Sequence, residues 1–153
     1  MRSKLKQITP PPLWHAASSL RYGLQRAALW PAANFHPLRR ESIRNLGKYQ
    51  DLHRGKRCFI IGNGPSLKQT NLALLKNEYT FGMNRIYLMF PELGFSTTYF
   101  LTVNSLVIEQ CAQDICALPI PKFLSWRSHK LIQPSADMHF LHTTYTGPGF
   151  SKD

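Results

Sequence analysis

Short apolar runs follow one another from residue 58 onward, separated by glycine, proline and polar residues. Five of these runs are rich in the aromatic and β-branched residues typical of strands. They cover residues 58–61, 79–83, 98–103, 121–126 and 138–144. Three stretches between them are predicted to be helices, the second alternatively a loop, at residues 67–76, 84–90 and 105–116. This alternation predicts an α/β fold with a mostly parallel sheet and flanking helices.

The first part of the chain has a different pattern. We assign residues 1–54 to a basic, partly helical extension and residues 55–153 to the domain that follows. Residues 1–12 end in three prolines and are predicted to be disordered. A helix is predicted near residues 13–30, because apolar residues recur at helical spacing, and Pro31 is expected to end it. The recurring residues are Trp14, Ala17, Leu20, Leu24 and Ala28.

Positive charge is concentrated before the first strand. Residues 1–57 hold 12 Lys/Arg and 2 Asp/Glu, whereas residues 58–153 hold 7 and 6, within a net charge of +11. A basic amphipathic helix with tryptophans at both ends suits an anionic membrane surface. The alternative is a helix docked on its own domain, with the basic face in solvent. Nucleic-acid binding is less favoured, because no nucleic-acid-binding motif accompanies the charge.

Other features of the sequence indicate the cellular compartment. The sequence has no run of about 20 apolar residues, so no membrane-spanning helix is predicted. The basic N-terminus is not followed by the apolar stretch that a secretory signal would have, so no such signal is predicted. Cys58, Cys111 and Cys116 have no metal-binding spacing, so they are expected to be free thiols and no metal site is predicted. We therefore expect a cytoplasmic protein, at the inner face of the membrane if the basic helix binds lipid.

The stretch 57–67, Arg-Cys-Phe-Ile-Ile-Gly-Asn-Gly-Pro-Ser-Leu, gives the strongest indication of function. An apolar strand runs into a glycine turn, and Pro65 and Ser66 are predicted to open a helix. This order forms a phosphate cradle, because glycine lets the backbone approach a ligand and the helix start offers N–H groups and a positive dipole. It is neither a Walker loop nor a full dinucleotide motif, since Leu67 occupies the third glycine position. The alternative is an ordinary turn without a ligand.

Three asparagines end predicted strands at nearly equal intervals. Asn63, Asn84 and Asn104 are 21 and 20 residues apart. The carboxyl ends of consecutive parallel strands lie along one edge of a sheet, where such folds bind ligands. Neutral amides at that edge could donate to phosphate and accept from a ribose or base. The alternative is that each asparagine caps a helix or turn.

The stretch from Cys58 to Gln110 resembles the 6-hydroxymethylpterin diphosphokinase MptE-like family, whose members share an Ile-Gly-x-Gly-Pro-Ser-Leu loop, here residues 61–67. It is also similar to bacterial sialyltransferases that use CMP-sialic acid. Their pattern is Gly-Asn-Gly-Pro-Ser-Leu-Lys, then an asparagine after the second strand, then an asparagine after the third strand with Glu-Gln several residues further on. Residues 62–68, Asn84 and residues 104–110 match that pattern.

The resemblance implies a Rossmann-like fold that binds a nucleotide at these loops. The implied site has Gly62, Asn63, Gly64, Pro65 and Ser66 beside the phosphate and ribose, with Asn84 and Asn104 completing the pocket. Some pterin-kinase-like members carry an acidic residue at the position of Asn104. The asparagine therefore favours the glycosyltransferase side of the resemblance.

The implied function is a transferase, in first place a glycosyltransferase of bacterial surface-polysaccharide assembly. Its donor would be a nucleotide sugar, CMP-linked by preference, and its acceptor a glycan. The alternative is ATP-dependent pyrophosphoryl transfer to a pterin, which would need Mg²⁺ with the ATP. A further alternative is a non-catalytic nucleotide-binding fragment, because the chain ends on a glycine- and proline-bearing loop where the family's domain continues.

No catalytic residue is assigned from the sequence. The resemblance implies that the general base of the sialyltransferase-like enzymes is a histidine from the later half of their domain. His129, His139 and His142 match no such motif, and His139 and His142, which flank an apolar strand, are expected to be structural.

Overall fold

The computed structural model describes residues 34–142 without a gap. Before them it describes residues 19–21, 23, 24, 27, 28, 30 and 31. The chain divides into two compact units, residues 1–36 and residues 37–153. The boundary predicted after residue 54 therefore falls inside the second unit.

The described part of the first unit is helical. Its helical residues between 19 and 31 lie within the predicted helix, and Pro31 is itself helical. The described backbone bends at His36, directly before the second unit. The disorder predicted for residues 1–12 concerns a segment outside the described residues.

The second unit is built on a five-stranded sheet in which every pair of neighbours is parallel. Its strands are β1 (Cys58–Ile61), β2 (Tyr79–Met83), β3 (Tyr99–Thr102), β4 (Lys122–Ser125) and β5 (Met138–Leu141). They are ordered β1-β2-β3-β4-β5 across the sheet. The predicted α/β fold with a parallel sheet is thus confirmed.

The helical segments are short. The α-helices are α1 (Pro37–Leu46), α2 (Phe90–Leu93), α3 (Ser105–Gln110) and α4 (Ala112–Ala117). The 3-10 helices are Gly47–Tyr49, Pro65–Gln69, Leu72–Leu75, Ile86–Met89 and Trp126–Ser128. Two predictions of single helices were wrong. The extended backbone of Thr70 separates two 3-10 helices within residues 67–76, and Cys111, with φ −121°, separates α3 from α4.

One face of the sheet carries the main hydrophobic core. Because each strand is added on the same side of the last, right-handed connections all lie on one face of the sheet. The side chains of that face are almost entirely buried. Each strand contributes at least one of them, namely Ile61, Thr80, Phe100, Leu124 and Phe140 in strand order. The connecting segments supply further fully buried residues, namely Ile86, Ile108, Ile115 and Trp126. This core aligns the strands so that their carboxyl ends form one edge.

The opposite face is aromatic and is covered by the segment that follows α1. Tyr49 contacts the rings of Tyr99, Phe123 and His139 at centroid distances of 5.7, 5.3 and 5.3 Å. His53 packs on Tyr79 at 3.8 Å. Residues 47–55 therefore belong to the sheet's own packing.

Candidate functional site

The structure brings the predicted site residues to the carboxyl ends of the first three strands. The turn Gly62-Asn63-Gly64 follows β1 directly, and Asn84 follows β2 directly. Asn104 comes two residues after β3, at the start of α3. The strand order does not reverse among the described strands, so the crevice of a doubly wound sheet is not formed there. The candidate site is an open edge.

The two glycines of the turn are not required by the backbone. Gly64 has φ −77°, a value open to any residue, and Gly62 does not have positive φ. A Cβ added at Gly62 would meet nothing within 4 Å, and one at Gly64 would meet Ser66 Oγ at 3.7 Å. Residues 62–66 are all exposed. The turn thus leaves open space directly above its backbone.

Gly82 in β2 shows what a structurally required glycine looks like in this sheet. A Cβ there would lie 2.5 Å from Ile86 Cγ2 and 2.7 Å from Thr97 Oγ1. Ile86 and Thr97 are both buried, so neither has room to move. The requirement at Gly82 comes from packing, and no equivalent contact exists at Gly62.

The segment after the turn differs from the prediction. Pro65 occupies the first helical position, as predicted, and Gly64 precedes it as the N-cap residue. The helix is, however, a five-residue 3-10 helix, Pro65–Gln69, rather than the opening of an α-helix. Peptide dipoles add up along a helix, so this short segment contributes little to anion binding. Any cradle depends on the backbone of the turn itself.

Asn63 links the glycine turn to the end of β2. Its amide lies between Met83 O and Ile86 N, and we assign its nitrogen to the side that faces Met83 O. In that orientation the amide donates to Met83 O at 2.6 Å and accepts from Ile86 N at 3.3 Å. The side chain therefore holds the turn against the neighbouring strand.

Asn84 and Asn104 each have an internal partner for the side-chain oxygen. Asn84, in the left-handed region at φ 51°, accepts from Thr102 Oγ1 at 3.0 Å. Asn104 accepts from Leu106 N at 3.0 Å and so caps α3, which confirms the capping interpretation for this residue. Within the described part of the chain, neither Nδ2 group donates to a protein acceptor. Both amide nitrogens can therefore serve a ligand oxygen.

The end of β4 adds polar groups that were not predicted to belong to the site. Ser128 Oγ donates to Ser105 Oγ at 3.1 Å, which ties the 3-10 helix after β4 to the start of α3. His129 stacks on Trp126 at 3.9 Å, and its Nδ1 lies 2.8 Å from Trp126 O. No local motif marks these residues, because their proximity arises from pairing of β3 with β4.

Among the three histidines considered from the sequence, His139 lies away from this edge. It is 3% exposed on the aromatic face, where its Nε2 lies 2.9 Å from the Tyr49 hydroxyl. Burial lowers the pKa of His139. The side chain fits the structural role expected of it.

The described residues contain no cluster of three or more His, Cys, Asp or Glu side chains that could hold a metal ion. Across the same residues, no helix is long and apolar enough to cross a membrane. The chain matches no family model, no curated protein and no solved structure. The expected relation to the two transferase families thus depends on the loop and asparagine pattern alone.

Proposed function

We propose that the second unit binds a nucleotide at the carboxyl ends of β1, β2 and β3, as the donor-binding part of a glycosyltransferase. One observation carries the proposal: Gly62 and Gly64 occupy ordinary backbone conformations, and a Cβ would meet open space at Gly62 and only an ordinary contact with Ser66 Oγ at Gly64. Packing explains Gly82 but neither of these glycines. Close approach of a phosphate to the turn would explain both.

The polar groups of the edge suit a phosphate ester. Backbone N–H groups of the turn and the Nδ2 groups of Asn84 and Asn104 are neutral donors. Such donors can stabilise the charge that develops on a leaving nucleotide without a bound cation. Arg85, exposed directly after Asn84, adds a positive charge at the same end of β2. The base that would take the acceptor's proton is not assigned.

Asn104 favours glycosyl transfer over pyrophosphoryl transfer from ATP. Mg²⁺ in phosphoryl-transfer sites is held by carboxylates together with the substrate phosphates. The position that offers a carboxylate in some pterin-kinase-like proteins is here a neutral amide that caps α3. The proposed donor is accordingly a nucleotide sugar, CMP-linked by preference. The proposed acceptor is a glycan at the cytoplasmic face of a membrane, which the basic N-terminal helix would contact.

The test is a thermal unfolding screen of the full chain with CMP, CDP, UDP, GDP and ATP, each with and without Mg²⁺. Binding to the native state alone raises the free energy of unfolding by about 2.7 kcal/mol at 100 times the Kd. We expect a cytidine nucleotide to raise the Tm without Mg²⁺. If only the combination of ATP and Mg²⁺ raises the Tm, the diphosphokinase alternative is favoured. If no nucleotide raises the Tm, the proposal is contradicted.

Asn104→Ser sharpens this test, because serine keeps the capping oxygen of α3 and removes the amide nitrogen. We expect an unchanged Tm without ligand and a reduced shift with the nucleotide. Asn77→Ser is the matched control, since Asn77 is exposed and precedes β2 at the amino end of the sheet. Equal nucleotide shifts in the two variants would remove Asn104 from the site.

A further inference from the structure

The densest positive charge of the chain lies in α1 and the segment that follows it. Residues 37–57 hold 7 Lys/Arg and 2 Asp/Glu, whereas residues 58–153 hold 7 and 6. Residues 1–36 hold 5 Lys/Arg and no acidic residue over a longer stretch. The folded unit therefore has a basic region of its own, distinct from the N-terminal helix considered above.

The outward side of α1 carries part of this charge. Ser42, one of the residues of α1 that face the sheet, is 2% exposed and bonds to β5. Arg40, Ile43 and Arg44, spaced three and four residues apart, share one helix face, and all three are exposed. Ile43 is 46% exposed between the two arginines. The outward face of α1 is therefore cationic with an apolar residue in its middle.

The segment after α1 continues this composition. Tyr49 and His53 point to the aromatic face of the sheet. Lys48, Leu52 and Arg54, their neighbours in sequence, are exposed, with Leu52 at 57%. We call Arg40, Ile43, Arg44, Lys48, Leu52 and Arg54 the basic surface.

The cations of the basic surface are not neutralised by ion pairs. In the described ranges the ion pairs join Arg57 to Glu78 and Lys122 to Asp137, and neither pair includes a residue of this surface. The acidic residues nearest in sequence are Glu41 and Asp51. A surface of unpaired cations attracts an anionic partner.

We infer that the basic surface binds anionic lipid at a membrane–water interface. Lysine and arginine supply attraction to acidic headgroups, and exposed apolar side chains between them gain by entering the acyl boundary. Ile43 and Leu52 would gain nothing comparable from the phosphates of a nucleic acid, where affinity comes from charge. The inference does not depend on the nucleotide site, since none of the six residues belongs to it.

The experiment is co-sedimentation of the full chain with vesicles of phosphatidylcholine, alone or mixed with phosphatidylglycerol. We expect binding only to the mixed vesicles. Each cation near an acidic membrane contributes about 1 kcal/mol, or about a 5-fold change in partitioning. Arg40→Gln with Arg44→Gln should therefore weaken binding about 30-fold.

The matched control is Lys76→Gln with Lys130→Gln, an equal loss of charge at exposed positions elsewhere on the unit. It should leave binding within about 2-fold of the wild type. Leu52→Ser should weaken binding about 5-fold without any change in charge, because an apolar contact with lipid is lost. Far-ultraviolet circular dichroism of each variant verifies that it is folded.

Several outcomes would overturn the inference. One is failure to bind mixed vesicles, and another is an equal loss in the control pair. A third is loss with Arg21→Gln and Arg26→Gln but not with the α1 pair, which would move the contact to the N-terminal helix. The last is tighter binding to an oligonucleotide than to mixed vesicles at equal salt, with no effect of Leu52→Ser.

Discussion

The two edges of the sheet differ in how far packing and hydrogen bonds within the fold explain the residues found there. At the β5 edge, α1 lies alongside the strand, and Ser42 Oγ accepts the Phe140 N–H at 2.9 Å. At the β1 edge, Cys58 and Ile60 are exposed, with Ile60 at 73%. The residues that follow β1 are a glycine turn that packing does not require. The β5 edge is explained by stability, whereas for the turn after β1 we propose a bound ligand.

The difference matters because edge strands expose unpaired backbone groups and are usually protected. Near β5, several buried polar groups have a partner that the fold supplies, as Lys122 has in Asp137 and Ser42 in Phe140. At the carboxyl ends of β1 to β3, among the described residues, the Nδ2 groups of Asn84 and Asn104 donate to no protein acceptor. Substitutions should therefore reduce stability in the first region and ligand binding in the second.

The largest expected effect on stability is from Asp137→Ala. The Lys122 side chain is fully buried, and its ammonium pairs with the Asp137 carboxylate. Because the Asp137 side chain is 41% exposed, its removal should cost about 2–3 kcal/mol, less than the loss of a fully buried partner, and it leaves the buried Lys122 ammonium without compensation. Urea unfolding measures the loss.

Lys122→Met combined with Asp137→Asn is the control for that prediction, because it removes both charges at similar volume. We expect the double variant to regain most of the stability that Asp137→Ala loses. If Asp137→Ala unfolds at the wild-type urea concentration, the pair does not stabilise the region near β5.

A smaller loss is expected from Ser42→Ala. The Ser42 hydroxyl donates to Leu38 O at 2.9 Å and accepts the buried Phe140 N–H. An unsatisfied buried donor costs about 1–2 kcal/mol. Ser66→Ala, at the exposed turn after β1, should change the free energy of unfolding by less than about 0.5 kcal/mol. Equal losses in the two variants would contradict the contrast between the edges.

The free energy of unfolding should also depend on pH through His139 in β5. Burial lowers the pKa of His139 from its ordinary 6.5, so the unfolded chain binds the proton more readily. The stability contributed by the neutral imidazole is complete above pH 6.5 and is lost as the pH falls from 6.5 toward the lower folded pKa. Thermal unfolding across that range should show a slope that His139→Phe flattens. An unchanged slope in the variant would exclude His139 as its source.

A second acid-dependent loss is expected at lower pH. Burial opposes the Asp137 carboxylate, but its hydrogen bonds with Lys122 and Ser135 outweigh burial and hold its pKa below 3.8. The stability from this group is present above pH 3.8 and is lost as the pH falls through the lower folded pKa. His139→Phe should leave this loss in place.

Local sequence patterns predicted the strands well and the contacts of the site poorly. β1 and β2 begin and end where their apolar runs do, because short buried strands need such runs. The helix predicted over residues 67–76 failed because Asn71 accepts the Ala73 N–H and starts a new turn. Such local competition is hard to distinguish from helix propensity in one sequence.

The candidate site shows the same limit. The pattern placed three asparagines at one edge, and the structure confirms that placement. The bonds from Asn63 to the end of β2 and from Thr102 to Asn84 join different strands. They depend on strand order and register, which no local pattern contains. The strongest remaining indication is the pair Gly62 and Gly64, because neither backbone conformation nor packing requires glycine at these positions.

The most direct test of that claim measures Tm and nucleotide affinity together for Gly62→Ala, with the nucleotide that stabilises the wild type most. A Cβ at this position meets nothing within 4 Å, so the account predicts an unchanged Tm and at least about a 10-fold loss of affinity. Gly82→Ala is the control and should lower the Tm, because its Cβ would lie 2.5 Å from Ile86 Cγ2. Wild-type affinity in Gly62→Ala would contradict a nucleotide cradle at the turn after β1.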